Sequence, residues 1–293
     1  MSNFSDLNNY LGKWVNNIPN LSEKFLTNIP FPNIVIDDFL NYEIAEQLSQ
    51  SFPTNYDNWH KYENPLEFKF ALDNVSNMDK CFQDYFEKLS SAPFLKIIND
   101  ITQQKLLESD PLLHGAGLHC HPTYGRLNIH LDYESHPKLE NKERKINIIY
   151  FLNKEWNELW NGANELWDKN VTKCIKYTKV KFNRAIIFQT NDISWHGLPK
   201  PILCPENIFR KSIAIYYIAD SIENGNGCKK NFKYGNDGSG KRTKASYIVS
   251  PYTKRENISK INQLIEIRPK RRIEKSDMER IWPDWDPKTD LTL

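Results

Sequence analysis

A chain of 293 residues with 39% hydrophobic and 13% aromatic content and a formal net charge of +2 can bury one sizeable core and leaves no room for several large domains. Its longest apolar runs, such as residues 146–152, are of strand length, well short of the roughly 20 residues that span a bilayer. The N-terminus also lacks a signal peptide's continuous apolar centre, so neither a membrane nor a secretory route is expected.

Five dispersed cysteines, Cys81, Cys120, Cys174, Cys204 and Cys228, do not form a disulfide framework and point to a reducing, cytoplasmic setting. In chain order, residues 1–29 read as an amphipathic lead-in, with Leu7, Leu11, Trp14 and Val15 at helical spacing and core packing as its role. Residues 78–113 repeat Phe82, Tyr85, Phe86, Leu89, Phe94 and Ile97 at helical intervals, interrupted at Pro93. Residues 114–220 alternate short strand candidates with polar turns, the pattern of a two-sheet jelly roll. Longer loops at 137–145 and 156–168 are placed at its open end. Trp160, Trp167 and Trp195 read chiefly as packing residues.

After Asp220 the composition shifts. Residues 224–244 are rich in Gly, Asn, Lys and Ser and read as a mobile loop or linker. From residue 221 onward there are 16 Lys and Arg against 10 Asp and Glu. The chain therefore divides into a domain of residues 1–220 and a basic C-terminal extension of residues 221–293, partly flexible, that can dock on the core. Residues 268–272, with four basic side chains, are diluted by Glu256, Glu266, Glu274 and Glu279, so a solvated tail is expected rather than a nucleic-acid surface. Residues 258–267 could form a docking helix, Trp282 and Trp285 could anchor the terminus, and a lid over the active site is an alternative role.

The chemistry is concentrated at His130, Asp132 and His196. Residues 127–132 alternate apolar and polar, as on a strand buried on one face, so His130 and Asp132 point to the same side. His196 follows the strand-like run 184–188, far enough along the chain for a distant antiparallel strand to bring it back. Two neutral imidazoles and one carboxylate on one face of an octahedron suit iron(II) and leave positions open for a co-substrate and O2. Structural zinc would call for a closed set of ligands, commonly with thiolates, and no Cys pair has that spacing.

Residues 209–218 read as a long strand whose even-numbered face offers Arg210, Ser212 and Ala214. An arginine heading a buried strand requires an anion, and a dicarboxylate such as 2-oxoglutarate would match its planar fork. The competing reading is a local ion pair with Glu206. Asn147 shares a strand face with Ile149 and Phe151 and could contact the co-substrate or satisfy the backbone. His119 and His121 are read as bystanders or as lining the substrate mouth, and His60, His114 and His136 carry no signal.

The ordered set of segments resembles the 2-oxoglutarate and iron(II)-dependent dioxygenases, in particular their prolyl 4-hydroxylase-like branch. Residues 30–40 resemble its leading strand and 41–52 its first helix. Residues 115–119 and 125–133 resemble the approach to the metal strand and the strand itself. Residues 145–156 and 162–167 resemble the central strand and a glycine-containing turn, and 195–199 and 210–212 the second metal strand and the co-substrate strand. The similarity spans roughly residues 28 to 220. It implies a mainly β fold with flanking helices (α+β) around a double-stranded β-helix, a jelly-roll, cupin-like core. It also implies His130, Asp132 and His196 as iron ligands and Arg210 on the distal carboxylate of 2-oxoglutarate, with Ser212 and Asn147 as further co-substrate contacts.

Two positions depart from that pattern. Phe151 stands where many relatives place a tyrosine whose hydroxyl helps bind the co-substrate, leaving Tyr124 or Ser212 to compensate. Ala163 replaces a common glycine, which a methyl group tolerates unless φ is positive. Because Asp132 retains the carboxylate that halogenating relatives replace, hydroxylation is the implied reaction.

The expected function is hydroxylation of an unactivated C–H bond in a prolyl residue, amino acid or small metabolite, with release of succinate and CO2. The expected cofactors are Fe(II), 2-oxoglutarate and O2, with ascorbate as a further candidate. Protein, amino-acid or small-molecule substrates are expected rather than nucleic acid, and the oligomeric state is left open. The alternative is a non-catalytic metal-dependent or carbohydrate-type binding module on the same fold.

Overall fold

The computed structural model describes residues 4–221 and 241–291. Helices α1 (Phe4–Tyr10) and α2 (Ile18–Thr27) form the lead-in, and Leu7 and Leu11 are buried as the spacing predicts. Helix α3 (Tyr42–Gln50) starts at Asn41, whose side chain accepts the Glu43 N–H, satisfying one of the free donors of a first turn. Asp79 caps α4 (Lys80–Leu89) in the same way. Pro93 does not interrupt a helix; it lies in the first turn of α5 (Ala92–Thr102), where the missing N–H needs no partner and the fixed φ suits helix entry.

Among the described residues thirteen strands pair antiparallel: β1 (Asn33–Ile36), β2 (His60–Glu63), β3 (Glu67–Leu72), β4 (Glu108–Ser109), β5 (Gly117–His121), β6 (Arg126–Leu131), β7 (Lys142–Phe151), β8 (Asn164–Trp167), β9 (Cys174–Thr178), β10 (Arg184–Gln189), β11 (His196–Leu198), β12 (Arg210–Asp220) and β13 (Ser246–Tyr247). The main spatial order is β1-β10-β7-β12-β5-β3-β6-β11-β8-β9, a nearly closed jelly roll of the double-stranded β-helix type. Strand β3 joins its two halves, pairing with β5 through Phe70 to Leu72 and with β6 through Glu67 and Phe68. The segments 137–145 and 156–168, expected as loops, contain the start of β7, which pairs with β12, and all of β8, which pairs with β11 and β9.

Alternation on the central strands separates two environments. Ile148, Tyr150, Ile213, Ile215 and Tyr217 face the helices and join Tyr85, Phe86, Phe94 and Ile98 in the main core. At roughly 1.5–3 kcal/mol for each large apolar side chain removed from water, this layer fixes the helices on the sheet; Phe94→Ala would cost about 3–5 kcal/mol. The opposite face, with Asn147, Ile149, Arg210, Ser212 and Tyr216, lines a cavity inside the roll.

Residues 241–291 dock on the other half. Strand β13 pairs with β6, and α6 (Ile258–Ile267) and α7 (Lys275–Ile281) form a second apolar cluster with Leu66, Tyr247 and Trp282. Arg126 on β6 holds Asp290 in a buried ion pair at 2.6 Å, and Arg268 holds Glu67 at 2.7 Å. Arg271 binds Asp277, so the basic run 268–272 is only partly the solvated tail its composition suggests. Of the predicted linker, residues 224–240 lie outside the described residues. Arg242 is buried, its Nε 3.3 Å from the Asp132 carbonyl oxygen. No helix among the described residues is long and apolar enough to cross a membrane.

Candidate metal centre

Strands β6 and β11 are hydrogen-bonded neighbours, and His196 stands opposite His130 in their register. The distant strand therefore delivers its histidine directly beside the first, with ring centroids 4.3 Å apart. Asp132 follows the end of β6. Its carboxylate oxygens lie 3.6 Å from His130 Nε2 and 3.7 Å from His196 Nε2, and all three residues are buried. Among the described residues this is the one group of three metal-capable side chains whose donor atoms lie within 4.8 Å of one another.

The surroundings fix how those donors point. His130 Nδ1 lies 2.8 Å from the Asn128 carbonyl oxygen and His196 Nδ1 lies 2.9 Å from that of Ser194. A carbonyl only accepts, so each Nδ1 carries the proton and each Nε2 presents a lone pair to the cluster. Burial, reinforced by His130, pushes the His196 pKa down to about 4, which keeps the ring neutral at physiological pH. Burial would raise the Asp132 pKa, but Arg144 together with His196 and His130 outweighs it and holds the group well below the usual carboxylate range.

Arg144 Nη1 lies 3.0 Å from Asp132 Oδ1, with its guanidinium between the rings of Tyr133 and Tyr216, 3.6 and 3.3 Å from their centroids. Asn147 Nδ2 donates to Asp132 Oδ2 at 3.3 Å. Donors bound at about 2.0–2.2 Å to one ion would have to close in slightly from these separations. Two neutral nitrogens and a carboxylate, with open space beside them, are the donor set that suits Fe(II).

The same cavity, of about 430 Å³, contains Arg210, Ser212 and Asn147 as well as the cluster. Buried Arg210 donates from Nε to the Gly162 carbonyl at 2.7 Å and from Nη1 to Ser212 Oγ at 3.2 Å, while its Nη2 has no partner. It makes no ion pair with Glu206 or any other acid among the described residues, and burial pushes its pKa down to about 9. Gly162 takes φ of +83° beside it, whereas Ala163 has no positive φ, so the methyl group is tolerated. The Phe151 ring centroid lies 4.9 Å from Arg210 Cζ, so an apolar face supports the guanidinium where a tyrosine hydroxyl is absent.

His119 and His121 are more than bystanders. The β12–β5 register sets His121 opposite Arg210 and His119 opposite Ser212, and both histidines line the cavity. Burial pushes their pKa values well down, and neither ring nitrogen of His121 has a partner. His60 and His114 also reach the cavity wall, but Trp160, Trp167 and Trp195 do not. His136 instead approaches Asp110 at 3.2 Å.

Several wall residues escape sequence reasoning: Arg144, the β3 pair Glu67 and Lys69, and Tyr247 and Arg268 from the extension. The Tyr247 ring stacks 5.2 Å from that of His130. The charged alternation of β3, with Glu67, Lys69 and Ala71 on one face, was the available signal.

Residues 116–218 match the family model of the 2OG-Fe(II) oxygenase superfamily, a segment that contains all six predicted site residues. A prolyl hydroxylase from Trichoplax adhaerens, solved with a hypoxia inducible factor oxygen degradation domain peptide fragment, aligns with TM-score 0.50 and 16% identity over 70% of this chain and 93% of its own. A Pseudomonas putida prolyl-4-hydroxylase aligns with TM-score 0.46 and 12% identity over 67% and 97%. HygX from Streptomyces hygroscopicus, solved with nickel, 2-oxoglutarate and hygromycin B, aligns with TM-score 0.44 and 10% identity over 69% and 87%. No curated protein sequence matches the chain. The family match over residues 116–218 thus falls on the strands that carry the His130, Asp132 and His196 cluster, within a fold similar to that of the Trichoplax adhaerens prolyl hydroxylase.

Proposed function

We propose that this oxygenase hydroxylates an unactivated C–H bond of a prolyl residue, an amino acid or a small metabolite, consuming O2 and 2-oxoglutarate and releasing succinate and CO2. The supporting observation is that the buried His130, Asp132 and His196 cluster shares its cavity with a buried guanidinium that has no acid partner. In this reading the two Nε2 atoms and the Asp132 carboxylate hold Fe(II). Arg210 receives the distal carboxylate of 2-oxoglutarate with help from Ser212. Asn147 and Arg144 keep Asp132 in place.

Bound iron would supply a centre where oxidation of the co-substrate is coupled to activation of dioxygen. The chain's own residues do the positioning. The backbone carbonyls of Asn128 and Ser194 fix the imidazole tautomers, and the enclosing strands and Tyr247 limit water around the cluster. A module that merely bound metal would have no use for Arg210 in this environment, which favours the enzyme over a binding module on the same fold. The test is succinate formation by anaerobically purified protein given Fe(II), 2-oxoglutarate and ascorbate and then O2. Turnover by the wild type and none by Asp132→Ala is the expected result. Metal binding with neither 2-oxoglutarate binding nor turnover would favour the binding-module reading.

A further inference from the structure

The cavity wall carries more positive charge than the co-substrate can answer. Lys69 is buried on β3, and its ammonium comes no nearer to Glu67 than 3.7 Å. Glu67 is already engaged by Arg268 at 2.7 Å, so one carboxylate faces two cations. Arg144 is matched to Asp132, and Arg210 has no acid.

On the oxygenase reading above, the two charges of Fe(II) are answered by Asp132 and by the co-substrate carboxylate next to the keto group. The distal carboxylate answers Arg210. Arg144 and one member of the Lys69–Arg268 pair are then left without a counter-charge. Buried cations in that position are costly unless an anion joins them.

The geometry gives the surplus a location. The pairing of Ala71 with His119 across β3 and β5 sets Lys69 near the His119 wall, and both residues line the cavity that contains the metal cluster. Arg268 follows the end of α6, outside the segment shared with the family model. The extension thus brings a second cation to the cavity wall that carries the buried lysine.

We infer that the substrate carries its own acid group, a carboxylate or a phosphate, which Lys69 receives beside Arg268. The inference rests on the oxygenase reading, because that reading places the co-substrate's two carboxylates elsewhere. It narrows the substrate class to anionic molecules or acidic reacting ends. An uncharged prolyl segment would leave the cation surplus unanswered.

The test starts from protein loaded with Mn(II), as a redox-inert substitute for iron, and saturating 2-oxoglutarate. Loading is measured first by calorimetry, so failure of the co-substrate site appears there and failure of the acid site only in the next step. The loaded protein is then titrated with N-acetyl-L-proline and N-acetyl-L-prolinamide, with 3-phenylpropionate and its primary amide, and with inorganic phosphate. The expected result is binding of at least one anion, with any bound carboxylate at least ten-fold tighter than its amide, and loss of anion binding in Lys69→Met with 2-oxoglutarate affinity retained. Preference for phosphate would identify a phosphorylated substrate, and preference for a carboxylate a carboxylic acid. Equal binding of acid and amide, no anion binding, or anion binding that survives Lys69→Met would overturn the inference.

Discussion

The two ends of the cavity are built on the same sheet but furnished in opposite ways. At the metal cluster the candidate ligands themselves are held: both histidine Nδ1 atoms meet carbonyls, and Asp132 is held by Arg144 and Asn147, whose own Nε and Oδ1 have no partner. Around Arg210, one guanidinium nitrogen and both ring nitrogens of His121 lack partners although they are buried. A satisfied end orients its donors before any ligand arrives, whereas an unsatisfied end gains its missing hydrogen bonds only when a ligand brings acceptors. On the proposed reading, the first end would hold the resident ion and the second the exchanging anion.

The largest effect should come from breaking the satisfied end. Asp132→Ala is expected to abolish succinate formation. It should also destabilise the metal-free protein by about 3–5 kcal/mol in urea denaturation, because Arg144 loses the partner of a buried ion pair. Adding Arg144→Met should restore most of that stability and none of the activity. A stable, inactive Asp132→Ala single variant would show that Arg144 has another acceptor.

Breaking the open end should separate binding from stability. Arg210→Met is expected to weaken 2-oxoglutarate binding by about 2–5 kcal/mol, roughly thirty-fold or more, as truncation of one partner of a desolvated charge pair does. Stability of the ligand-free protein should hold or rise, because no intramolecular ion pair is lost. Arg210→Lys, which keeps the charge without the fork, should fall between the two in the same calorimetric titration.

The wall between the ends responds to acid. Burial alone would raise the Glu67 pKa, but Arg268 and Lys69 outweigh it and hold it at about 2, against an ordinary value of 4.5. Its folded-state pKa is depressed, so its stabilisation is complete above pH 4.5 and is lost as the pH falls towards 2. The ceiling is about 3 kcal/mol. Denaturation midpoints followed from pH 6 to pH 2.5 should fall more steeply for the wild type than for Glu67→Gln; parallel curves would mean that Glu67 is not the titrating group.

Phe151→Tyr should have the smallest effect. One added hydroxyl near Arg210 contributes about 0.5–1.5 kcal/mol when hydrogen-bonded, so 2-oxoglutarate binding should tighten by no more than about ten-fold. Weaker binding would show that the Phe151 ring, packed with Phe31, Leu166 and Phe188, matters more to the site than another donor would.

Much of this organisation was legible where a simple period held. Alternation in residues 127–132 set His130 and Asp132 on one side, and the same period on β12 set Arg210 and Ser212 towards the cavity. Arg144 was not legible, because strict alternation gives it the face of Ile146 and Ile148. The β7–β12 register shifts between Tyr217 and Ile218, whose partners are Ile146 and Arg144; an extra residue in one strand reverses side-chain direction beyond it.

Glu67 and Lys69 were missed for a different reason. A charged face on an alternating strand ordinarily looks outward, but β3 bridges the two halves of the roll and turns that face inward. For the extension, the apolar positions of residues 258–267 and Trp282 pointed to a docking helix and an anchor, but its ion pairs with Glu67 and Arg126 depend on long-range pairing that no local pattern encodes.

The central claim is tested most directly by anaerobic crystals soaked with Mn(II) and 2-oxoglutarate, with data collected for the manganese anomalous signal. The account predicts one strong peak bounded by His130 Nε2, the Asp132 carboxylate and His196 Nε2, with the distal carboxylate of 2-oxoglutarate against Arg210. A peak at His119 and His121, or a co-substrate that leaves Arg210 without an acid, would contradict it.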